Sequence, residues 1–201
     1  AGGEVVYMSG SSVSTTTHGY PDVGLTTMTE MVERARQMVN VVDIPVFADA
    51  DTGYGNALNV MRTIQEYESA GVAGVHLEDQ VFPKKCGHFE GKDVIPEAEM
   101  CEKIRAAADA REDEDFVLIA RTDARAVRGY NKAIHRLRAY QEAGADVLFF
   151  EAPESREELE RVTAEFADDY IPLLANMTEG GKTPLFSATE FEEIGFDIVL
   201  Y

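Results

Sequence analysis

One pattern recurs along this chain: a short apolar segment of strand type, a loop, and a helix with apolar residues every three or four positions. The segments are apolar at nearly every position, as in parallel strands that are covered on both faces. They occupy residues 5–8, 46–50, 74–77, 117–120, 147–150, 172–175 and 197–200. Strands that alternate with helices form a parallel sheet with right-handed crossovers, so this pattern predicts an α/β fold.

Seven strands fit an eight-stranded barrel that lacks one unit better than they fit an open, doubly wound sheet. The open sheet is also disfavoured because no Rossmann glycine fingerprint and no reversal of strand order is visible. We predict a (β/α)8 TIM-type barrel, with seven of its eight strands in residues 1–201, which form a single partial domain. The 201 residues are fewer than the roughly 250 of a typical complete barrel. We therefore expect that an N-terminal unit and the C-terminal helices are missing from this sequence.

The charge balance restricts the partners of the protein. Asp and Glu number 37 and Lys and Arg number 18, which gives a formal net charge of −19. A negative field of this size disfavours nucleic acid and anionic membranes, and the sequence has no apolar run long enough to span a membrane. The acidic residues are scattered rather than gathered in a tail, which is typical of proteins in a salt-rich cytoplasm. We expect a cytoplasmic protein from a halophilic organism.

Polar residues interrupt the apolar segments abruptly at their carboxyl ends. In β/α barrels the chemistry takes place at that face, so a set of such interruptions in register predicts a functional site. The residues that follow or end the first six segments are Ser9, Gly10 and Ser11, then Asp49 and Asp51, Glu78 and Asp79, Arg121, Glu151, and finally Asn176 and Thr178.

The carboxylates of Asp49, Asp51 and Glu78 lie at the ends of two neighbouring segments and should repel one another unless a cation or a proton neutralises them. Hard oxygen ligands select Mg²⁺, with Mn²⁺ as an alternative, rather than zinc. Mg²⁺ usually keeps several waters, so one acid is expected to bind it directly and the others through water. Arg121 is a suitable clamp for a substrate carboxylate.

The segment after the third strand carries a cysteine among basic residues, in the run Lys84-Lys85-Cys86-Gly87-His88. Neighbouring cations favour the thiolate, so Cys86 is expected to be able to act as an acid, a base or a nucleophile. The second cysteine, Cys101, lies on an apolar helix face and is expected to pack in the core.

Five motifs together resemble the isocitrate lyase and phosphoenolpyruvate mutase superfamily over nearly the whole chain. They are Tyr-x-Ser-Gly from residue 7, Asp-x-Asp-x-Gly-x-Gly from residue 49, Glu-Asp-Gln from residue 78, Lys-Lys-Cys-Gly-His from residue 84 and Ala-Arg-Thr-Asp from residue 120. The cysteine motif resembles the branch of carbon–carbon lyases. The resemblance implies an α/β barrel that forms a homotetramer with swapped C-terminal helices.

The resemblance also implies Mg²⁺-dependent cleavage of a 2-hydroxy di- or tricarboxylate by retro-aldol type chemistry. Asp49 would bind the metal, Asp51 and Glu78 would hold its waters, and Cys86 would protonate the product carbanion. Tyr7 and Glu151 are both candidates for the base, and Arg121 and His88 complete the catalytic set. The residues implied to bind the substrate are Ser9, Gly10, Ser11, Asp22, Lys84, Gly87, Arg121, Phe149, Glu151, Asn176, Thr178 and Leu200.

The substrate within this superfamily is indicated by residues that line the implied pocket. The chain has no Trp, whereas isocitrate lyases of the superfamily usually carry Trp at two of these positions. Ser11, Phe149 and the Asn176–Glu179 loop are similar to the 2-methylisocitrate lyases, which release pyruvate and succinate. Isocitrate lyase and 2,3-dimethylmalate lyase are the alternatives, and a phosphonomutase is the alternative of a different reaction class. A non-enzymatic acidic binding module would leave the strand-end residues without a role.

Overall fold

The computed structural model describes residues 3–87 and 91–201, in which seven short strands form one parallel sheet. The strands are β1 (Val6–Met8), β2 (Val46–Asp49), β3 (Gly74–Glu78), β4 (Val117–Thr122), β5 (Val147–Phe150), β6 (Leu173–Asn176) and β7 (Ile198–Leu200). Each strand pairs in parallel with the next one along the chain, so the spatial order equals the sequence order. All seven predicted strands are confirmed.

The sheet curls into a nearly closed barrel, as its inner face shows. Ile119, Val147, Phe149 and Leu174 form a buried cluster that is separate from the main core. The side chains that pack against this cluster come from the second, fourth and seventh strands: Phe47, Val117, Ile198 and Leu200. Side chains from strands so far apart in the sheet can meet only if the sheet curves around them. The predicted TIM-type barrel is therefore confirmed.

Helices connect successive strands on the outside of the barrel. They are α1 (Gly10–Val13), which continues as a π-helical turn (Ser14–His18), α2 (Met28–Val39), α3 (Ala57–Ser69), α4 (Glu97–Ala110), α5 (Ala124–Arg128), α6 (Tyr130–Glu142), α7 (Arg156–Phe166) and α8 (Ala188–Ile194). Their buried faces and the outward side chains of the strands form the main core. None of the helices in the described ranges is long and apolar enough to cross a membrane.

Local sequence explains where these helices begin. Ser187 accepts a hydrogen bond from the backbone N–H of Glu190, whose side chain accepts one from the N–H of Ser187 in return. This reciprocal capping box starts α8 and satisfies backbone donors that have no partner within the helix. Two helices are tied to the strand ends by buried tyrosines: Tyr67 of α3 donates to the Asp49 carbonyl at 3.0 Å, and Tyr140 of α6 donates to Asp79 at 2.7 Å. The helices thus fix the chain at the carboxyl ends of β2 and β3.

Candidate active site

The functional residues are brought together by the alternation of side chains along the strands. Successive side chains point to opposite faces, so Asp49 of β2 and His76 and Glu78 of β3 share the inner face with the buried apolar cluster. Asp49 is in register with His76, and Glu78 is in register with Arg121. The inner face is therefore apolar at the bottom of the barrel and charged at the carboxyl ends of the strands.

A cavity of about 540 Å³ opens at this face, a volume suited to a small ligand. Most of the predicted site residues line it. The lining consists of Tyr7, Ser9, Ser11, Ser12, Asp22, Asp49, Glu78, Lys84, Lys85, Cys86, Gly87, Arg121, Phe149, Glu151, Asn176, Met177, Thr178, Glu179, Leu200 and Tyr201.

Asp49 is held in place by backbone donors on both of its oxygens. The N–H of Gly10 donates to Oδ2 and the N–H of Asp51 donates to Oδ1, each at 2.9 Å. A Cβ on residue 10 would lie 2.7 Å from Asp49 Oδ2, so only glycine allows this approach. Burial raises the pKa of Asp49, but the charges of His76 and Lys84 more than offset it and lower the pKa to about 2. Asp49 is therefore an ionised and fixed carboxylate.

Asp51 lies beside Asp49 and is paired with the ammonium group of Lys84. Lys84 Nζ lies 2.6 Å from Asp51 Oδ1 and 2.6 Å from Asp22 Oδ1, and all three side chains are largely buried. Burial and the charge of Asp49 raise the pKa of Asp51 to about 7, against the opposing effect of Lys84. Asp51 also adopts a left-handed backbone conformation with φ of 48°, which is uncommon outside glycine and concentrates at functional sites.

His76 connects the acidic residues with Tyr7, and it was not among the predicted site residues. Its Nδ1 shares a hydrogen bond of 2.6 Å with the Tyr7 hydroxyl, and its Nε2 lies 3.6 Å from Asp49 Oδ1. Burial and the charge of Asp49 raise the pKa of Tyr7 well above its usual value, so the phenol stays protonated. The signal for His76 was its position two residues before Glu78, which places both side chains on the same strand face.

Arg121 lies at the centre of the site. Its Nε is 2.9 Å from Asp123 Oδ2 and 3.4 Å from Glu78 Oε2, and its Nη2 is 3.5 Å from Glu151 Oε1. The guanidinium also stacks over the Phe149 ring, with its carbon 5.2 Å from the ring centroid. Burial disfavours the charge, but the surrounding carboxylates raise the pKa of Arg121 above its ordinary value, so it is a permanent cation.

The cysteine segment reaches the cavity from the loop after β3. The Gln80 side chain fixes its start, because it accepts from the Lys85 N–H at 2.9 Å and donates to the Lys85 carbonyl at 2.8 Å. Cys86 is half-buried and lines the cavity, whereas Cys101 is buried and donates to the Ala139 carbonyl at 3.7 Å. The two cysteines thus occupy the different environments that the sequence predicts.

The walls of the cavity differ in character. We name Asp49, Glu78, Lys84 and Arg121, together with Asp51 that is paired with Lys84 behind them, the charged wall; all five are buried. We name the opposite side the open rim; it consists of Asn176, Met177, Thr178, Glu179, Leu200 and Tyr201, which are half-buried or exposed. The charged wall is fixed by ion pairs. In the open rim, the Thr178 hydroxyl donates a long hydrogen bond of 3.4 Å to Asn176 Oδ1.

The charged wall suits a hard cation. Glu78 Oε1 is buried and accepts no hydrogen bond from any described residue, so it could accept one from the hydration shell of an ion. Within the described ranges, no three acidic, His or Cys side chains form a group that could enclose an ion by themselves. Mg²⁺, which takes one or two carboxylates and keeps waters, is compatible with this arrangement.

The structure brings the predicted site residues together with few exceptions. Gly10 and Asp51 do not line the cavity but are bonded to Asp49, which does. His88 lies outside the described residues. No role was predicted for His76, Lys92 or Asp123, because the hydrogen bonds of His76 to Tyr7 and of Lys92 to Asp123 join residues that are far apart along the chain.

The fold and the site define an α/β-barrel protein with a charged cavity at the carboxyl ends of its strands. Residues 1–201 match the family described as phosphoenolpyruvate phosphomutase. The chain is 52% identical to 2,3-dimethylmalate lyase of Eubacterium barkeri over 202 residues, and 52% identical to probable 2-methylisocitrate lyase 2 of Corynebacterium glutamicum over 201 residues. All of this chain is covered in both cases, with 68% and 64% of the respective relative.

Solved structures agree with these relatives. A crystal structure of 2,3-dimethylmalate lyase, described as a member of the PEP mutase/isocitrate lyase superfamily, has a TM-score of 0.95 at 43% identity. Phosphonopyruvate hydrolase in complex with oxalate and Mg²⁺ has a TM-score of 0.85 at 32% identity. Each alignment covers all of this chain, with 67% and 68% of the respective structure. The chain belongs to this family of enzymes, and it spans about two thirds of the length of the relatives it matches.

Proposed function

We propose that the protein is a Mg²⁺-dependent carbon–carbon lyase that cleaves a 2-hydroxy di- or tricarboxylate, with 2-methylisocitrate as its substrate and pyruvate and succinate as its products. One observation carries this proposal: a cysteine, a permanent arginine cation and a cluster of buried carboxylates line the same cavity of about 540 Å³. These groups match the needs of the reaction, which are a proton donor, a carboxylate clamp and a cation site.

Asp49 would hold Mg²⁺ directly, because it is ionised and fixed by two backbone donors. Asp51 and Glu78 would hold the waters of the ion. The bound ion would supply positive charge to the hydroxyl and carboxylate oxygens of the substrate and stabilise negative charge there. Mn²⁺ has similar ligand preferences and could replace it.

The residues of this chain would bind and orient the other carboxylates. Arg121 presents a fixed guanidinium to the cavity, and Ser9, Ser11, Asn176 and Thr178 supply neutral hydrogen-bonding groups around it. Because Arg121 is already held by Asp123 and Phe149, little side-chain entropy would be lost when a substrate carboxylate binds. The site is thus preorganised for a polyanion despite the net charge of the chain.

Proton movements would accompany cleavage at both ends of the broken bond. Loss of the hydroxyl proton lets the oxygen lone pair form the keto group, while the electrons of the carbon–carbon bond pass to the neighbouring carbon. Cys86 would give its proton to that carbon, so that one proton is lost and one is gained. Tyr7 and Glu151 line the cavity as candidate bases. Tyr7 is held as a protonated phenol, so it would first have to lose its own proton before it could act as the base.

2,3-Dimethylmalate is the second candidate substrate, because the relative from Eubacterium barkeri and the solved structure with a TM-score of 0.95 are both named 2,3-dimethylmalate lyase. Its cleavage would break the equivalent bond and also release pyruvate. Isocitrate, which would release glyoxylate, and a phosphonate rearrangement are further alternatives. The presence of Cys86 in the cavity favours a lyase over a phosphonomutase, because protonation of a carbanion needs an acid.

The experiment is to incubate the full-length protein with 2-methylisocitrate, 2,3-dimethylmalate, isocitrate and phosphonopyruvate, with Mg²⁺ or with EDTA, and to identify the keto acid released. We expect pyruvate from 2-methylisocitrate at the highest kcat/KM, and no product with EDTA. Glyoxylate from isocitrate as the preferred reaction would reassign the substrate. Turnover of phosphonopyruvate alone would reassign the reaction class.

We also propose that the acidic surface is an adaptation to a salt-rich cytoplasm. Acidic residues are spread along the chain and include exposed runs such as Glu112–Asp115, where unscreened charges repel one another. We expect the fold to be lost when the protein is dialysed from molar salt into dilute buffer without divalent cations, as followed by circular dichroism. A cooperative fold that survives dialysis would contradict this proposal.

The homotetramer stays a prediction. Analytical ultracentrifugation of the full-length protein tests it.

A further inference from the structure

Lys92 is a buried lysine that the proposed chemistry does not use. Its side chain is 2% exposed, and its Nζ lies 2.6 Å from Asp123 Oδ1. The same Nζ also donates to the backbone carbonyl of Gly87, the residue that follows Cys86. A buried ammonium group is costly unless its hydrogen bonds are satisfied, so contacts of this kind define one side-chain position.

Asp123 links Lys92 to the arginine of the charged wall. Its Oδ2 accepts from Arg121 Nε at 2.9 Å, and its Oδ1 accepts from Arg121 Nη2 at 3.1 Å as well as from Lys92. The carboxylate has no exposed surface, and the backbone N–H of Asp123 donates to Asp79 Oδ1 at 2.9 Å. Asp123 is therefore a rigid connection between the two cations.

Together, these contacts form a closed ring of residues directly next to Cys86. A Cβ on residue 87 would overlap the carboxylate of Glu151 and the guanidinium of Arg121, so the Gly87 backbone lies directly against them. Gly87 is thus joined to Arg121 both by direct packing and through Lys92 and Asp123. A shift of Lys92 would release the backbone carbonyl next to the thiol-bearing residue.

Cys86 lies between two fixed points of the chain. On one side, Gln80 holds the backbone of Lys85 through two hydrogen bonds. On the other side, Lys92 holds the backbone of Gly87. Since a general acid must lie within hydrogen-bond reach of the carbon or oxygen that it protonates, small displacements of this segment would reduce its rate.

We propose that Lys92 is a positioning residue. With Asp123 it holds the Cys86–Gly87 turn against Arg121, so that the Cys86 thiol faces the same cavity as the Arg121 guanidinium. The kinetic part of this proposal rests on the proposed lyase function, whereas the positional part does not. Lys92 acts through Gly87 and Asp123 and need not touch the substrate.

The first test measures the position of Cys86 without any substrate. The full-length protein is treated with iodoacetamide, and alkylation of Cys86 is followed by mass spectrometry with Cys101 as the internal reference. We expect Lys92→Met to raise the Cys86 alkylation rate about fivefold or more, because the turn opens locally, and Lys92→Arg to restore it towards wild type. Lys103→Met is the matched control, since Lys103 is also buried and donates to a backbone carbonyl, that of Thr52.

Several results would overturn the proposal. One is a Lys92→Met alkylation rate within twofold of wild type; another is a rate changed no more than in Lys103→Met, which would assign Lys92 to general stability. If Lys92→Met does not fold, Lys92→Gln replaces it, because the amide keeps a donor for Gly87 but loses the charge that pairs with Asp123. For Lys92→Gln we expect an intermediate rate, and a rate equal to wild type would count against the proposal.

The second test is kinetic. We expect Lys92→Met to lower kcat roughly tenfold while KM and the affinity for Mg²⁺ stay near wild type, because binding groups are kept and the proton donor is displaced. A raised KM with unchanged kcat would contradict a positioning role for the thiol. If the wild-type protein cleaves none of the hydroxy acids, the lyase proposal fails, and the alkylation test still decides the role of Lys92.

Discussion

The charged wall and the open rim face each other across one cavity, yet they are built differently. The charged wall consists of buried ionisable groups that are fixed by ion pairs at 2.6 to 3.5 Å and by backbone donors. The open rim consists of half-buried or exposed side chains at the ends of β6 and β7. Buried charges need specific partners and so tolerate little change, whereas exposed side chains can be exchanged at low cost. We infer that the charged wall sets the reaction and the open rim sets the substrate.

One barrel fold occurs in relatives with different names. The same barrel, with TM-scores of 0.95 and 0.85, occurs in a 2,3-dimethylmalate lyase and in a phosphonopyruvate hydrolase that binds oxalate and Mg²⁺. Replacing residues on each side of the cavity should have different kinetic consequences.

The largest effect is expected in the charged wall, at Asp49. Asp49→Ala removes the proposed direct ligand of the cation and should abolish Mg²⁺-dependent activity, a loss of roughly 10³-fold or more. Asp51→Ala and Glu78→Ala should weaken Mg²⁺ binding less, since they act through water. Calorimetric titration with Mg²⁺ and product formation over a Mg²⁺ series measure both effects. Wild-type activity of Asp49→Ala at low Mg²⁺ would show that the metal assignment is wrong.

The next effect concerns the ion pairs behind the charged wall. Burial raises the pKa of Asp123, but Arg121 and Lys92 more than offset it and lower the pKa to about 2. Because the unfolded value is about 3.9, ionisation of Asp123 stabilises the fold above pH 5 by roughly 2–3 kcal/mol, and this contribution is lost progressively as the pH falls from about 5 towards 2 and below. Asp123→Asn should therefore be less stable than wild type at pH 6, with the difference shrinking over that range.

Thermal unfolding of wild type and Asp123→Asn between pH 6 and pH 2 measures this difference. Asp115→Asn is the control, because Asp115 is exposed and its replacement should change stability little at any pH. A difference between wild type and Asp123→Asn that is constant with pH would contradict the assigned ionisation state.

A smaller effect is expected at the open rim. Asn176→Ala and Thr178→Ala should raise KM roughly tenfold through the loss of a hydrogen bond to a substrate carboxylate, while kcat and Mg²⁺ affinity stay near wild type. They should also change the ratio of kcat/KM between 2-methylisocitrate and 2,3-dimethylmalate. Steady-state kinetics with both substrates measures these changes, and Asn131→Ala, on the exposed face of α6, is the control. A loss of the Mg²⁺ response in either rim variant would remove the distinction between the two regions.

The sequence was sufficient to predict the strands and most of the cavity, for a physical reason. In a parallel barrel every strand ends at the same face, so residues that interrupt the apolar segments, such as Asp49, Glu78 and Arg121, must meet there. The partners of buried charges could not be predicted in this way. Lys92 and Asp123 are 31 positions apart, and nothing in the local sequence of Lys92 indicates that its ammonium group is buried.

The side-chain directions of the basic residues beside Cys86 could not be predicted from the sequence either. Lys84 was expected to act on the thiol and to bind substrate, and the structure pairs its ammonium group with Asp22 and Asp51. Lys85 directs its Nζ to the Gly91 carbonyl. A long flexible side chain can reach any acceptor within several ångströms, so its partner is decided by the tertiary fold rather than by its neighbours along the chain.

The most direct test of the account is the replacement of Cys86 by serine in the full-length protein. Serine is nearly isosteric with cysteine but is a far poorer acid, so Cys86→Ser should keep the cavity and lose the proton donor. We expect kcat for 2-methylisocitrate cleavage to fall roughly 10²–10⁴-fold, with substrate and Mg²⁺ still bound, whereas Cys101→Ser keeps its activity. A Cys86→Ser enzyme with kcat within about threefold of wild type would contradict both the role of the thiol and the preference for a lyase.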